Sequence, residues 1–314
     1  MSGITPVNYL LYEKSCRRGT KEMRLFIARR DSLLESFPLI KYHLSLFFLY
    51  FLRVKTVLRL CALASGSRGN SIYLEGGGAK VLIDAGLCGR ELTSRLDSIG
   101  VDPETLDAVI VTHDHRDHVS GVGIMARRYN LPVYSAYGTI KASEKVWGKI
   151  SHIDEIESGT LFSINDLEFY PFSTPHDSRQ SVGFIFRAEG KKGGIATDLG
   201  YVTRLVRECL KGCNVMVVES NHDETMLIDG PYPWHLKQRV KGREGHLSNL
   251  ACTELVEDVY HEKLQSIVLA HLSEVNNNPD LAYETLMSRM KERFHGEVKV
   301  SMARQERVGE MIKI

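Results

Sequence analysis

The sequence lacks the features that define several classes of protein. It has no Cys-x-x-Cys pair, and its 6 cysteines are scattered over 314 residues, which excludes a small disulfide-held secreted scaffold and favours reduced thiols in the cytoplasm. It has no excess of charge, because 40 Lys and Arg balance 39 Asp and Glu. A polybasic coat and an acidic disordered tail are therefore excluded. Apolar residues make up 43% of the chain, as expected for a folded globular protein.

A long apolar run is also missing, although residues 1–56 contain a short one. The run covers residues 44–52 and is bracketed by Lys41 and Arg53, whereas a spanning helix needs about 20 apolar residues. We therefore predict no stable membrane association. We interpret residues 1–56 as an extension that is poorly ordered or non-native, through a start assigned too far upstream. A helix lying on the domain and a signal anchor are the alternatives, and the predicted domain covers residues 57–314.

From residue 57 onward, short apolar runs alternate with turn signals, which is typical of strands. We predict strands at 60–64, 71–74, 81–83, 108–111, 167–172, 183–186, 194–196, 215–218 and 267–270. Helical spacing predicts helices at 119–129, 139–147, 202–209, 247–261, with Ser248 and Asn249 as caps, and 279–294. The glycine-rich turn at 75–79 suits an antiparallel hairpin. Early hairpins followed by strand–helix units predict an α/β fold of two sheets with helices outside.

The clearest site signal directly follows the predicted strand at 108–111. There the chain reads Thr-His-Asp-His-Arg-Asp-His over residues 112–118, so three imidazoles and two carboxylates emerge at one strand end. Imidazole and carboxylate groups suit divalent ions such as Zn²⁺ and Mn²⁺. Further candidate ligands follow other predicted strands, namely Asp84, His176, Asp198 and His271. Each alone is more often a structural residue, but their recurrence at strand ends favours a metal centre over a solvated loop.

In this order the motifs resemble those of the metallo-β-lactamase superfamily, whose fold is an αββα sandwich of two mixed β-sheets flanked by helices. The resemblance implies two divalent ions, Zn²⁺ or Mn²⁺, the first bound by His113, His115 and His176. The second would be bound by Asp117, His118 and His271. Asp198 would bridge the ions, and Asp84 would orient the ligand loop. Because two such ions can turn a bridging water into hydroxide at neutral pH, the predicted reaction class is hydrolysis.

Three motifs in the second half of the chain narrow the class of hydrolase. The segments around Glu219, His246 and His271 resemble motifs of transfer-RNA 3′-processing ribonuclease Z. That resemblance implies that His246 works with Asp117 as a proton shuttle, with Glu219 in the same catalytic set. A positioned imidazolium can protonate a leaving alkoxide, which has a high pKa. The alternative is that His246 only caps the helix predicted from residue 247.

Two segments are candidates for contacting a polyanionic substrate. The stretch 231–243 carries Trp234 followed by basic residues at alternate positions, namely Lys237, Arg239, Lys241 and Arg243. Basic residues interleaved with aromatics suit a surface that follows a nucleic-acid backbone, and a solvated charged face is the alternative. The glycine- and serine-rich turn at 64–71 offers Ser67, Arg68 and Asn70 to a phosphate, and a tight hairpin is the alternative.

Taken together, these motifs resemble the YycJ (WalJ) branch of the superfamily. The branch implies a cytoplasmic exonuclease that degrades double-stranded DNA from 5′ to 3′, with His246 as general acid. An RNA-processing nuclease, a hydrolase of lactones or thioesters, and a metal-stabilised binding module are the alternatives. The choice of metal and the oligomeric state stay open.

Overall fold

The computed structural model describes residues 57–294 and 298–314. The predicted extension over residues 1–56 lies outside the described residues, so its boundary stays a prediction. Among the helices of the described part, none combines the length and apolar character needed to cross a membrane.

A seven-stranded mixed sheet, here called the first sheet, is built mainly from the first half of the described chain. Its strand order is β14-β1-β2-β3-β4-β5-β6, antiparallel from β14 to β3 and parallel from β3 to β6. The strands are β1 Arg59–Ala64, β2 Ser71–Gly76, β3 Ala79–Ile83, β4 Ala108–Val111, β5 Val133–Ala136, β6 Ile153–Ile156 and β14 Ile312–Lys313. The predicted hairpin at 75–79 is confirmed by the antiparallel pairing of β2 with β3.

A second seven-stranded sheet repeats this mixture of directions in the rest of the chain. Its order is β13-β12-β11-β10-β9-β8-β7, antiparallel from β7 to β10 and parallel from β10 to β13. The strands are β7 Phe162–Ile164, β8 Leu167–Ser173, β9 Val182–Ala188, β10 Lys191–Ala196, β11 Val215–Glu219, β12 Ser266–Ala270 and β13 Lys299–Met302. In both sheets, loops that carry candidate site residues follow the carboxyl ends of the parallel strands.

Nine helices lie in the described residues, and most of them pack on the outer faces of the two sheets. They are α1 Gly89–Ser98, α2 Arg116–Val119, α3 Val122–Tyr129, α4 Tyr137–Trp147, α5 Arg204–Leu210, α6 Glu224–Asp229, α7 Trp234–Lys241, α8 Asn249–Val259 and α9 Pro279–Phe294. A 3₁₀ turn covers Pro103–Thr105. The predicted helix at 119–129 is interrupted, because the amide of Gly121 donates to the carbonyl of Ala85 instead of continuing one helix.

Three apolar clusters fill the spaces between these layers. The central cluster lies between the sheets and contains Ile110 of the first sheet and Phe184 of the second. On the outer face of the first sheet, Val109 packs in one cluster with Met125 of α3. The third cluster includes Leu255 of α8 and covers the outer face of the second sheet. The resulting order of helices, sheet, sheet and helices confirms the predicted αββα sandwich.

Candidate metal centre and catalytic site

The predicted ligands meet where the parallel strands end. Asp84 follows β3, Asp198 follows β10, His271 follows β12, and the loop 112–118 follows β4. Asp84, Asp198 and His271 have φ values of 60°, 58° and 54°. This left-handed backbone conformation is uncommon for a residue with a Cβ, and it turns the chain sharply off the strand at each of the three positions.

The side chains of all seven predicted ligands come together there. His113, His115 and His176 form one group, and Asp117, His118 and His271 form another; within each group the possible ligand atoms lie within 4.8 Å of one another. Asp198 belongs to two further groups whose possible ligand atoms also lie within 4.8 Å of one another. One contains His113 and His118, and the other contains Glu219, His246 and His271. The first two groups are the two ligand sets that the family resemblance implies, and Asp198 lies beside both.

Unsatisfied atoms in this cluster provide a test of whether it fits metal ions. Nε2 of His113, Oδ2 of Asp198 and Nε2 of His271 are buried and have no hydrogen-bond partner among the described residues. Burial of an unpaired polar atom costs free energy, so native proteins normally satisfy such groups. A divalent cation would satisfy all three atoms, and imidazole with carboxylate is the donor set that Zn²⁺ and Mn²⁺ accept. The residues present therefore fit divalent metal ions.

Asp84 supports the ligand loop from behind. Its Oδ1 accepts from the amide of Thr112 at 2.8 Å, and its Oδ2 lies 2.7 Å from Nδ1 of His118. The hydroxyl of Thr112 donates to Asp84 at 2.8 Å and lies 2.9 Å from Nδ1 of His113. Although burial lowers the pKa of His118, the carboxylates of Asp84, Asp198 and Asp117 raise it well above the ordinary value. Asp84 is thus placed to orient His118 and leave its Nε2 facing the cluster.

Asn70 and Gly86 hold Asp117 in place. Nδ2 of Asn70 donates to Oδ2 of Asp117 at 3.0 Å and to the carbonyl of Gly66 at 3.0 Å. A Cβ on Gly86 would lie 1.6 Å from the carbonyl oxygen of Asp117, so only glycine allows this approach of the two loops. Asn70, a predicted substrate contact, is buried and bonded to a candidate metal ligand.

Glu219 joins the metal cluster to His246. It is the last residue of β11 and is buried, with Oε1 2.8 Å from Nδ1 of His246 and 2.9 Å from Nδ1 of His271. Its Oε2 accepts from the amides of Leu199 and Leu247 at 2.9 and 3.1 Å. Burial opposes ionisation, yet the attraction of His246 and His271 lowers the pKa of Glu219 below its ordinary value. Glu219 thus fixes the ring orientation of both histidines.

His246 does not cap the following helix. The N-cap of α8 is Ser248, whose hydroxyl accepts from the amide of Ala251 at 3.2 Å. The prediction of a cap at Ser248 is confirmed, and the capping alternative for His246 is wrong. Because Nδ1 of His246 is engaged by Glu219, Nε2 is the nitrogen that remains available, and 18% of the side chain is exposed.

The basic stretch is a helix, and its charges do not form one stripe. In α7 successive side chains are about 100° apart, so alternate positions diverge. Lys237 donates to the carbonyl of Ile228 at 2.5 Å, while Nε of Arg239 is 2.6 Å from Oδ2 of Asp177. Lys241 is exposed, and so is Trp234, with 65% of its surface accessible. Arg243 lies beyond the helix.

Arg68 has carboxylate partners in this structure. Its guanidinium pairs with Glu274 at 2.5 Å and also with Glu306. The amide of Arg68 donates to the side chain of Gln305 at 2.8 Å, and Ser67 beside it is exposed. The turn 64–71 is therefore tied to the loops after β12 and β13, and the positive charge of Arg68 is neutralised there.

Sequence reasoning missed Asp177 and Ser65. The carbonyl of Asp177 lies 3.1 Å from Nε2 of His115, and its carboxylate binds Arg239, so it links a candidate ligand to α7. The sequence feature that could have identified Asp177 is its position directly after His176. The hydroxyl of Ser65 accepts from the amide of His271 at 2.7 Å. Nothing in the local sequence pattern distinguishes Ser65 from an ordinary turn serine.

Comparison with known proteins agrees with this geometry. Residues 79–271 match the family model described as the beta-lactamase superfamily domain. Exodeoxyribonuclease WalJ of Streptococcus pneumoniae serotype 2 (strain D39) is 37% identical over 232 residues, which cover 73% of this chain and 86% of that protein. The chain belongs to the metallo-β-lactamase superfamily. As a member of this superfamily it is a metal-dependent hydrolase.

A second curated relative and one solved structure extend the comparison. Exodeoxyribonuclease YycJ of Bacillus anthracis is 34% identical over 248 residues, covering 76% of this chain and 91% of that protein. These relatives confirm the branch that the motifs resemble. The structure of the metallo-β-lactamase fold protein YhfI from Bacillus subtilis superposes with a TM-score of 0.62 at 15% identity, covering 82% of this chain and all (100%) of that one. At this identity the superposition supports the fold alone.

Proposed function

We propose that this protein is a binuclear metal-dependent phosphodiesterase that degrades double-stranded DNA from the 5′ end. The observation that carries the proposal is the pair Glu219–His246, whose Oε1 and Nδ1 atoms lie 2.8 Å apart beside the candidate metal ligands. The relatives of the branch are named exodeoxyribonucleases. We propose the cytoplasm as its compartment, because the described cysteines are all free.

The proposed metal ligands are the seven residues that the family resemblance names. When bound, two divalent ions would supply an activated water at neutral pH and positive charge for the developing oxyanion. His113, His115 and His176 would hold the first ion, and Asp117, His118 and His271 the second, with Asp198 between them. Asp84 and Glu219 act as positioning residues, because each contacts a ligand histidine from behind.

His246 is the proposed general acid. A phosphodiester releases an alkoxide of high pKa. Proton delivery to that oxygen therefore raises the rate of hydrolysis, typically by a factor of about 10² to 10⁴. Glu219 accepts a hydrogen bond from Nδ1 of His246 at 2.8 Å and thereby fixes the orientation of the ring. A carboxylate that fixes the tautomer and orientation of a catalytic imidazole is a recurring device. Asp117 lies in the same cluster and completes the proposed proton relay.

Exposed basic groups near the end of α7 support a polyanionic substrate over a lactone or thioester. Lys241 and Arg243 are exposed, and neither forms an ion pair among the described residues. A small neutral ester has no phosphate for these groups to bind, whereas counterion release at phosphate contacts drives nucleic-acid binding. Digestion of end-labelled double-stranded DNA, single-stranded DNA and RNA, beside a lactone panel, tests the choice. Hydrolysis of lactones without nuclease activity would reject the proposal.

A leaving-group experiment tests the role of His246. We expect His246→Ala to retain both metals and to slow DNA hydrolysis by about 10² to 10⁴, whereas His271→Ala loses metal. The slowing by His246→Ala should shrink on bis(p-nitrophenyl) phosphate, since nitrophenolate departs without a proton. Metal content is measured on the same preparations. Loss of metal from His246→Ala, or equal slowing on the activated ester, would show that His246 is a ligand or a structural residue.

A further inference from the structure

A cleft next to the metal cluster has no role in the chemistry described above. Its volume is about 570 Å³, and it is lined by Pro175, Asp177, Tyr201, Arg239, Gly242, Arg243, Glu244 and Gly245. Pro175 and Asp177 flank the candidate ligand His176, and Gly245 precedes His246. The cleft therefore adjoins the two segments that carry His176 and His246.

The walls of this cleft, here called the Tyr201 cleft, are fixed by the backbone. The amide of Asp177 donates to the carbonyl of Glu244 at 3.0 Å, and the amide of Gly200 donates to the carbonyl of Pro175 at 2.9 Å. A Cβ on Gly200 would lie 2.2 Å from the carbonyl oxygen of Arg243, so this close contact of the two walls requires glycine. The cleft is thus preformed, which reduces the entropy lost on binding.

Tyr201 and Arg243 form a stacked pair in the cleft. The guanidinium carbon of Arg243 lies 4.5 Å from the centroid of the Tyr201 ring, and 38% of Tyr201 is exposed. Arg239 in the same cleft is neutralised by Asp177, whereas no carboxylate within residues 57–294 and 298–314 pairs with Arg243. The cleft therefore offers one aromatic ring and one guanidinium that forms no ion pair among the described residues, with the carboxylate of Glu244 also in its lining.

We infer that the Tyr201 cleft binds one nucleotide of the substrate strand, next to the phosphate that is cleaved. The base stacks on the Tyr201–Arg243 pair, and the N–H edge of Arg243 binds a backbone phosphate. Stacking on an aromatic ring accepts any base, because every base has a π-face, which suits an enzyme that must remove all four nucleotides in turn. The inference rests on the proposed nuclease function and assigns a binding role to Tyr201.

The test combines variants of Tyr201 with substrates that lack one base. Replacement of a stacking aromatic residue by a non-aromatic one typically weakens binding by about 5- to 100-fold. We therefore expect Tyr201→Leu to raise KM for duplex DNA within this range. Tyr201→Phe keeps the ring and should have the KM of the wild type. On DNA with an abasic residue at the stacked position, wild type and Tyr201→Leu should have the same KM. Moving the abasic residue along the strand identifies which nucleotide is bound.

Matched controls lie elsewhere in the fold. Tyr283 on α9 has the same 38% exposure as Tyr201, and Arg128 on α3 stacks on Tyr129 at 5.3 Å. Tyr283→Leu and Arg128→Gln should leave KM for DNA unchanged, whereas Arg243→Gln should raise it.

The outcomes separate the inference from the proposed function. Equal KM for wild type and Tyr201→Leu on intact DNA would overturn the inference while the nuclease activity stands. A rise that persists on every abasic substrate, or an equal loss of turnover of bis(p-nitrophenyl) phosphate, would also overturn it, because the defect would then not be stacking. A wild-type protein that hydrolyses small esters but no nucleic acid would remove the proposed function and the inference together.

Discussion

The buried cluster at the strand ends and the exposed helix α7 bring charged groups together in different ways. In the cluster, each carboxylate contacts several neighbours, as Asp198 does with His118 at 3.4 Å and His271 at 3.3 Å. On α7, Lys237 bonds to a backbone carbonyl, Arg239 pairs with a single aspartate, and Lys241 is exposed. Removal of a cluster member leaves buried partners uncompensated, whereas removal of a surface charge is absorbed by solvent. Variants of the buried cluster should therefore lose metal and hydrolytic activity, whereas variants of α7 should lose only affinity for DNA.

The largest effect is expected for the carboxylate between the two ligand groups. Asp198→Asn should lower the metal content and reduce hydrolysis of DNA and of bis(p-nitrophenyl) phosphate alike, by about 10³-fold, because charge stabilisation at the site is lost. Metal content is measured by elemental analysis. The matched control is Asp114→Asn, since Asp114 lies in the ligand loop but accepts from the amide of Arg179 at 2.9 Å. Full metal content in Asp198→Asn would contradict its role.

A smaller effect, confined to affinity, is expected on α7 and just beyond it. Replacement of Lys237, Arg239, Lys241 and Arg243 by Gln should weaken DNA binding at all sequences and flatten its salt dependence, by about 0.9 in slope for each phosphate that is no longer neutralised. Metal content should not change. Among single variants, Lys241→Gln should flatten the slope more than Arg239→Gln, whose charge is offset by Asp177. Equal salt slopes for the fourfold variant and wild type would make this helix a solvated surface.

Buried thiols provide a third case, in which the effect of burial outweighs that of the neighbouring charges. Burial raises the pKa of Cys252 and Cys213 from 9.0 to about 12. Above pH 9 the unfolded chain loses these protons and the folded chain keeps them, so the free energy of unfolding should be constant below pH 9 and fall as the pH rises towards 12. The limiting slope is about 1.4 kcal/mol per pH unit for each thiol.

Urea unfolding at pH 8 and pH 10 measures this alkaline loss. Cys252→Ala should reduce it, because one buried thiol is removed. Cys88→Ala is the control, since Cys88 is exposed. Its free energy of unfolding should fall between pH 8 and pH 10 by as much as that of the wild type. The same loss in all three proteins would exclude the buried thiols as its cause.

The smallest effect is expected from removal of residues 1–57. Every candidate ligand lies beyond Leu58, so a chain that begins at Leu58 should match the full chain in metal content and DNA hydrolysis. Elemental analysis and a nuclease assay on both chains provide the comparison. Reduced metal content in the shorter chain would reject the proposed domain boundary.

The metal cluster could be predicted from the sequence because its ligands are rare residue types placed directly after apolar strands. The strand at 108–111 and the histidines that follow it carry their signal locally. Strands β6 and β13 were not predicted, because Ile153–Ile156 and Lys299–Met302 contain charged or polar residues and are paired at sheet edges. Their conformation depends on the neighbouring strand rather than on their own apolar pattern.

The orientation of charges on α7 was equally inaccessible to sequence reasoning. Alternate basic residues indicated one continuous surface, but a helix sends them to different sides, and Arg239 is bound by an aspartate 62 positions away in sequence. The contacts of Asn70 with Asp117, and of Glu219 with His246, also join distant segments. The types of residue in the site were visible in the sequence, whereas the partner of each depended on the fold.

The left-handed backbone at Asp84, Asp198 and His271 bears on how the protein would respond to selection. For a residue with a Cβ this conformation costs about 1 to 2 kcal/mol, and only glycine adopts it freely. The surrounding loops maintain it because these positions must carry a carboxylate or an imidazole. Glycine at these positions would relieve the backbone cost, but it would leave the buried partners of each side chain uncompensated and would remove a residue of the site. Stabilised variants of this fold should therefore be sought away from the strand ends.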